Sequence, residues 1–238
     1  MPSLTRTRFQ AATAVTVATA ATAPATATAN NTASATNTAV RAAATCVLLL
    51  GAALLAGCAG NPAAIADYRY DLGPDMTPSS SGTLPPMKVL DVTAPTTLDS
   101  DKLIYRLSYA DAQRTAAYAT SHWTMPPAQL LTQRLRSVLT ARGAVLTGAD
   151  GVRAPVLRVD LDEFEQVFDA QSHSHASVTA RATLIQGGKV TGQHTFIARA
   201  PASSPDAAGG AAALAAASDD LVGQINAWLS MQTLAAAQ

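Results

Sequence analysis

Residues 175–190 read His-Ala-Ser-Val-Thr-Ala-Arg-Ala-Thr-Leu-Ile-Gln-Gly-Gly-Lys-Val. Ala176, Val178, Ala180, Ala182 and Leu184 alternate with His175, Ser177, Thr179, Arg181 and Thr183, the period of two expected of a strand with one buried face. Gly187-Gly188 then supplies the two positive-φ residues of a primed hairpin turn. A return strand is predicted from about Val190 to Ala200. The row of alanines keeps that face low, so that a helix can pack closely on it.

Upstream, residues 155–168 show the same period. Leu157, Val159 and Leu161 share one face, and Arg158, Asp160 and Asp162 the other. Phe164 and Phe168 fall out of phase, which predicts a β-bulge near Asp162–Glu163. Simple alternation would scatter Asp160, Asp162, Glu163 and Glu165 over both faces, which argues against paired acid–base catalysis. Three further strands are expected earlier: Tyr68–Leu72, stopped by Gly73-Pro74; Met87–Val92; and Leu103–Tyr109. A short one over 113–119 ends near Tyr118. Residues 74–86, with four prolines and a serine run, read as a loop.

The period changes after Met125-Pro126-Pro127. Leu131, Leu135, Val138 and Leu139 form one helical face, and proline is tolerated in a first turn. Arg142 and Gly143 are expected to close this helix, as a cation at its negative end and a left-handed cap. Pro201–Pro205 breaks the sheet. Asp206 is a candidate cap for a last helix with a stripe of Leu214, Leu221, Ile225, Trp228 and Leu229. Gly209-Gly210 should weaken its first turn. The fold class is α+β: an antiparallel or mixed sheet with two helices packed on one face. Trp123, Phe164, Phe196 and Trp228 are the large core anchors in a chain only 5 % aromatic.

The 16 basic and 16 acidic residues balance overall, but residues 1–57 hold Arg6, Arg8 and Arg41 and no acid. The remainder is weakly acidic, without the clustered positive surface that nucleic acid requires. Residues 46–56, Cys-Val-Leu-Leu-Leu-Gly-Ala-Ala-Leu-Leu-Ala, are apolar and uncharged. They have the length of a signal-peptide core and are shorter than the roughly 20 residues of a membrane-spanning helix. Leu55-Ala56-Gly57-Cys58 resembles the bacterial lipobox, in which small residues admit the chain to a peptidase and the cysteine thiol takes a diacylglyceryl group. Residues 1–57 are therefore expected to be a removed leader, with Cys58 lipidated and residues 58–67 a tether. Residues 68–230 would be the folded domain and 231–238 a flexible tail. Residues 1–40 form a low-complexity Ala/Thr tract unlike a signal peptide, which leaves the translation start open between Met1 and a point near Val40. Ala59, where an aspartate would favour inner-membrane retention, points to the outer membrane.

Several segments, in order, resemble the ABC-type transport auxiliary lipoprotein family, which includes the paraquat-inducible protein C group. They are Tyr68–Gly73 after the tether, Ser108-Tyr109…Tyr118…Trp123 leading into Pro127…Leu131…Arg134-Leu135, and Val159–Phe168. Pro205-Asp206…Gly209-Gly210…Ala217-Ser218-Asp219…Ile225…Trp228-Leu229 completes the set. The resemblance covers about residues 58–230. It implies an outer-membrane lipoprotein facing the periplasm, an auxiliary, non-catalytic subunit of an envelope lipid transporter. The partners it implies are a periplasmic MCE-domain protein and its ABC transporter, with self-association open. No cofactor is expected beyond the diacylglycerol and N-acyl lipid on Cys58. A structural or assembly lipoprotein, binding an outer-membrane protein or the cell wall, would use the same anchor and fold.

Enzyme signatures are weak. There is no Gly-x-Ser-x-Gly elbow, and Gly187-Gly188-Lys189 lacks the spacing and helix start of a phosphate loop. His173 and His175 could join Asp160, Asp162, Asp169 or His194 around a metal, but zinc needs three or four ligands with support, and no metal site is expected. Tyr105, Tyr109, Tyr118 and Trp123 gather the scarce aromatics within nineteen positions. They are candidates for an interface as well as for the core.

Overall fold

The long hairpin is the centre of the molecule. In the computed structural model, which describes residues 66–74 and 82–237, β6 (Val156–Ala170), β7 (His173–Gln186) and β8 (Lys189–Pro201) form an antiparallel meander. Gly187 and Gly188 turn it with φ of +57° and +77°, conformations that cost a glycine little. Leader, lipobox and Cys58 lie outside the described residues, which fall within one compact unit, Pro62–Gln238.

The other edge of β6 is divided between two partners. Its first residues pair in parallel with β2 (Met87–Val89), and its last with β3 (Lys102–Leu107). Between them Thr93 bridges to Asp160. β3 pairs antiparallel with β4 (Thr115–Trp123), which pairs in parallel with β1 (Tyr68–Tyr70). β5 (Val145–Leu146), not expected from the sequence, pairs with β2. The result is a mixed eight-stranded sheet.

The third strand ends at Leu107, short of Tyr109, and three other boundaries differ from expectation. The second strand is shorter than Met87–Val92, because after Val89 the chain follows β6 only through Leu90 N–H to Leu157 O and the isolated bridge of Thr93, which donates to Val159 O and accepts from Leu161 N–H. The strand after β3 runs to Trp123 instead of ending near Tyr118, since β1 arrives to pair with Ser121, His122 and Trp123. The first strand stops at Tyr70, short of Leu72.

The expected bulge is present: the β6–β7 register shifts between Leu161 and Glu163. This overturns the scattering of the carboxylates. Asp160, Glu163 and Glu165 stand opposite Arg181, Thr179 and Ser177, alternate residues of one face of β7.

Helices α1 (Pro127–Thr140) and α2 (Ala207–Ser230) touch each other and share one core with the sheet. Leu131, Leu135 and Leu139 of α1 share the core with Leu103, Leu157, Leu161 and Phe164 of the sheet, while α2, with Leu214, Leu221, Ile225 and Leu229, packs on β7 and β8. Each fully buried leucine contributes about 2 kcal/mol against exposure. The side chain of Asp206 caps α2 by accepting from Gly209 N–H at 2.8 Å.

Three glycines and an arginine are used differently from expectation. Gly143 does not have positive φ; α1 ends at Ala141 in a right-handed conformation. A methyl at Gly143 would strike the Leu84 carbonyl, so close passage of the chain requires glycine there. Arg142 turns away from the end of α1 and is buried against Asn226 and Ser230 of α2 and the Gly82 carbonyl. Gly209 and Gly210 do more than weaken a turn: a Cβ on them would meet Ser204 and the Gln166 amide respectively. They bring α2 onto the sheet. Residues 231–237 lie beside the hairpin tip, where Gln186 bonds Thr233 O and Ala235 N–H.

Candidate interaction surface

The aromatic group divides when the chain folds. Trp123 is 0 % exposed and meets Phe164 edge-on, with ring centres 5.4 Å apart. It is a core residue and offers nothing to a partner, because β1 and β3 flank its strand and the core closes over its ring. Its indole N–H has no hydrogen-bond acceptor among the described residues.

Tyr105 and Tyr118 remain half-buried, with centres 4.8 Å apart, and Phe168 closes edge-on to Tyr105 at 6.0 Å. Tyr118 donates to Gln166 Oε1 (2.9 Å), and Gln166 donates to Ser174 Oγ (2.8 Å). Burial, helped by the charge of Asp206 and by Tyr105, pushes the Tyr118 hydroxyl up to about 12. The phenol therefore remains a neutral donor. Tyr109 is 45 % exposed at the end of this group, where its backbone N–H reaches Phe168 O. Tyr105, Tyr109 and Tyr118 thus form an amphipathic aromatic rim on one end of the sheet.

The helix-free face has a different chemistry. Arg106 donates twice to Glu165, whose side chain is only 7 % exposed. This contact raises the Arg106 pKa, against burial. Thr179 donates to Glu163. Asp160 accepts from Thr93 and Arg158 and faces Arg181. Burial opposes its charge most strongly, but those donors together hold its carboxyl below the usual range. The carboxylates that bulge and pleat bring together are therefore matched by cations and hydroxyls in a ladder, an arrangement that binds strands to one another and leaves no carboxylate pair sharing a proton.

The histidines do not converge. His175 contacts Asp169 at 2.7 Å, His173 contacts Ser172, and His194 stacks edge-on with Phe196 on β8. Among the described residues no group of three or more His, Cys, Asp or Glu could hold a metal ion. A second feature escaped sequence reading: buried Arg134 reaches from α1 to the carbonyls of Leu72, Gly73 and Pro74 and to Asp219 of α2. It ties the segment after β1 to both helices. An arginine beside a leucine stripe gives no sign of this at the level of pattern. An open groove of about 590 Å³ lies between Lys88, Arg153 and Pro155 on one side and the hairpin turn and Ala235 on the other. Among the described residues no helix is long and apolar enough to cross a membrane.

Comparison with solved structures places this fold. It resembles a protein of Xanthomonas campestris from family DUF330 at 21 % identity, with a TM-score of 0.60, covering 68 % of this chain and 94 % of that one. An uncharacterized protein matches at 16 % identity and a TM-score of 0.55, covering 69 % and 99 % of the two chains. No curated protein sequence matches. A sequence model of the ABC-type transport auxiliary lipoprotein component matches residues 70–226, from β1 through most of α2. By that match, which spans most of the chain and takes in β2 through β8 whole, the protein belongs to the family of ABC-type transport auxiliary lipoproteins.

Proposed function

We propose that this protein is the outer-membrane, lipid-anchored subunit of an MCE/ABC-type envelope lipid transport system, serving as a docking component without catalysis. One observation carries the reading: a domain of the auxiliary-lipoprotein family, matched over 70–226, stands shortly behind Leu55-Ala56-Gly57-Cys58. In this reading Cys58 bears diacylglycerol and an N-acyl chain, and residues 59–67 form a short tether. Two signals normally fix a protein stably to a bilayer, and a triacylated cysteine supplies three chains. The aromatic rim of Tyr105, Tyr109 and Tyr118 is a docking surface on this view, since tyrosine offers large contact area with few rotatable bonds.

Affinity purification of the full-length protein from detergent-solubilised membranes tests the reading, combined with mass spectrometry of the native N-terminus. The expected result is an acylated Cys58 without the leader, and co-purification of an MCE-domain protein with its permease. A bare thiol behind an intact leader would overturn the anchor. Capture of only a β-barrel or peptidoglycan would replace transport with an assembly role.

A further inference from the structure

β8 is an edge strand of 13 residues, and among the described residues it pairs only with β7. Its backbone orientation can be read from one bond. Ala202 N–H donates to Ser174 O (2.9 Å), in the same register that sets Ala200 opposite Ala176 and Ala198 opposite Val178. Antiparallel ladders alternate, so Ala200, Ala198 and Phe196 turn their backbone groups toward β7. Thr195, Ile197 and Arg199 turn theirs to the open edge. Gln224 of α2 agrees, donating its amide to Ile197 O from the outside (3.4 Å).

The edge is only partly protected: Gln224 reaches Ile197 O, and Lys189 and Pro201 stand at its two ends. Folded proteins blunt exposed edges with short strands, inward charges or coverings. Here the strand is long, and Val190 and Ile197 stand 62 % and 56 % exposed. Its one irregularity in pairing is near the turn, between Leu184 and Ile185 on β7. β4, the strand at the other end, is protected: β1 covers Ser121–Trp123, and its pairing with β3 is irregular near Lys102–Ile104.

We infer that the β8 edge is a strand-addition site for an extended, acidic segment of a partner protein, held by the outward backbone groups of Thr195 and Arg199 and the outward N–H of Ile197, whose carbonyl the segment would take over from Gln224. The inference rests on the docking role proposed above and gives it a binding mode. Charge selects the occupant. β8 contains Lys189 and Arg199 and no Asp or Glu, while Arg181 of β7 is already matched to Asp160. Asp220 of α2 accepts from the same Gln224 amide that reaches Ile197 O. For a second copy of the chain, antiparallel self-pairing centred on Thr195 would set Lys189 of each strand diagonal to Arg199 of the other, and like charges across a ladder repel. Main-chain bonds would give affinity and alternate side chains specificity, as in other strand additions.

The test uses the full-length protein in detergent with two synthetic nonapeptides, Glu-Val-Thr-Val-Thr-Val-Thr-Val-Glu and its lysine-ended counterpart. Binding is followed by fluorescence anisotropy and by amide hydrogen exchange. The acidic peptide should bind more tightly, by about tenfold for two favourable end pairs. It should slow exchange at Thr195, Ile197 and Arg199 selectively. Ile197→Pro removes one outward N–H without touching the β7 ladder and should abolish binding. Arg199→Glu leaves every backbone group in place and should erase or invert the peptide preference, so a misfolded proline variant cannot rescue the idea. Equal affinity for both peptides, or binding that survives Ile197→Pro in a protein with an unchanged circular dichroism spectrum, overturns the inference. Concentration-dependent protection of the same amides without peptide would assign the edge to a second copy and overturn it too. None of these results depends on acylation of Cys58 or co-purification of a transporter, so the two readings fail separately.

Discussion

Toward the helices, β7 presents Ala176, Val178, Ala180, Ala182 and Leu184, each 0 % exposed. Toward the other side the same strand presents Ser177, Thr179, Arg181 and Thr183, facing the carboxylates and Arg158 of β6. The helix side is specified by volume: small residues, two glycines and a close helix leave no slack. The opposite side is specified by matching charge and hydrogen-bond donors. One strand therefore carries two codes, and each should respond to a different kind of damage.

The largest effect is expected in the apolar layer. Trp123→Ala should cost about 3–5 kcal/mol in chemical denaturation, as for other large-to-small core changes. Because its indole N–H is unpaired among the described residues, Trp123→Phe should cost much less. A loss below about 1 kcal/mol for the alanine variant would show that the layer is not packed as described. On the charged side, Glu165→Ala should cost about 1–3 kcal/mol, because it leaves the Arg106 guanidinium partly buried without its carboxylate. Equality of the two costs would erase the contrast between faces.

At the seam between the codes, Asp206→Ala should cost about 1 kcal/mol through loss of the α2 cap. The Gly209 N–H and the Ser204 hydroxyl hold the Asp206 carboxyl below its ordinary pKa. Its contribution is therefore complete above that ordinary value and is lost as pH falls through the depressed one. Thermal melts of wild type and variant should converge in strong acid; a constant gap at every pH would show that the cap acts without its charge. The smallest effect belongs to Arg158→Ala. Its side chain is 53 % exposed beside Asp160, and stability should move by no more than about 0.5 kcal/mol.

The sequence disclosed features governed by local period. The hairpin, its glycine turn, the bulge after Leu161, the face of α1 and the Asp206 cap all follow from neighbours a few residues apart. It failed where distant segments decide. Nothing near Tyr118 announces that β1 will arrive and extend the strand to Trp123. Gly143, Gly209 and Gly210 resemble helix punctuation, but their meaning lies in what presses on them: Leu84, Ser204 and Gln166. Arg142 resembles a helix-end cation until Asn226 is brought to it by tertiary packing. The aromatic set split for the same reason. Spacing gathered Trp123 with Tyr105, Tyr109 and Tyr118, but only the three-dimensional arrangement put Trp123 beneath Phe164 and left Tyr109 at the surface. The lipidation proposed at Cys58 rests only on the residues immediately before it, outside the described residues.

The division of β6 between two parallel partners governs how the chain can fold. β2 and β3 are made long before the strand that completes them; Ser108, just past β3, bonds Phe168 across 60 residues of chain. A polypeptide emerging amino-end first must hold Leu103 and Tyr105 without their docking strand until β6 follows. Long-range parallel pairing of this kind is slow to form. Until β6 arrives, the apolar faces of β2 and β3 have no partner strand, whereas the later hairpin closes from residues a few positions apart.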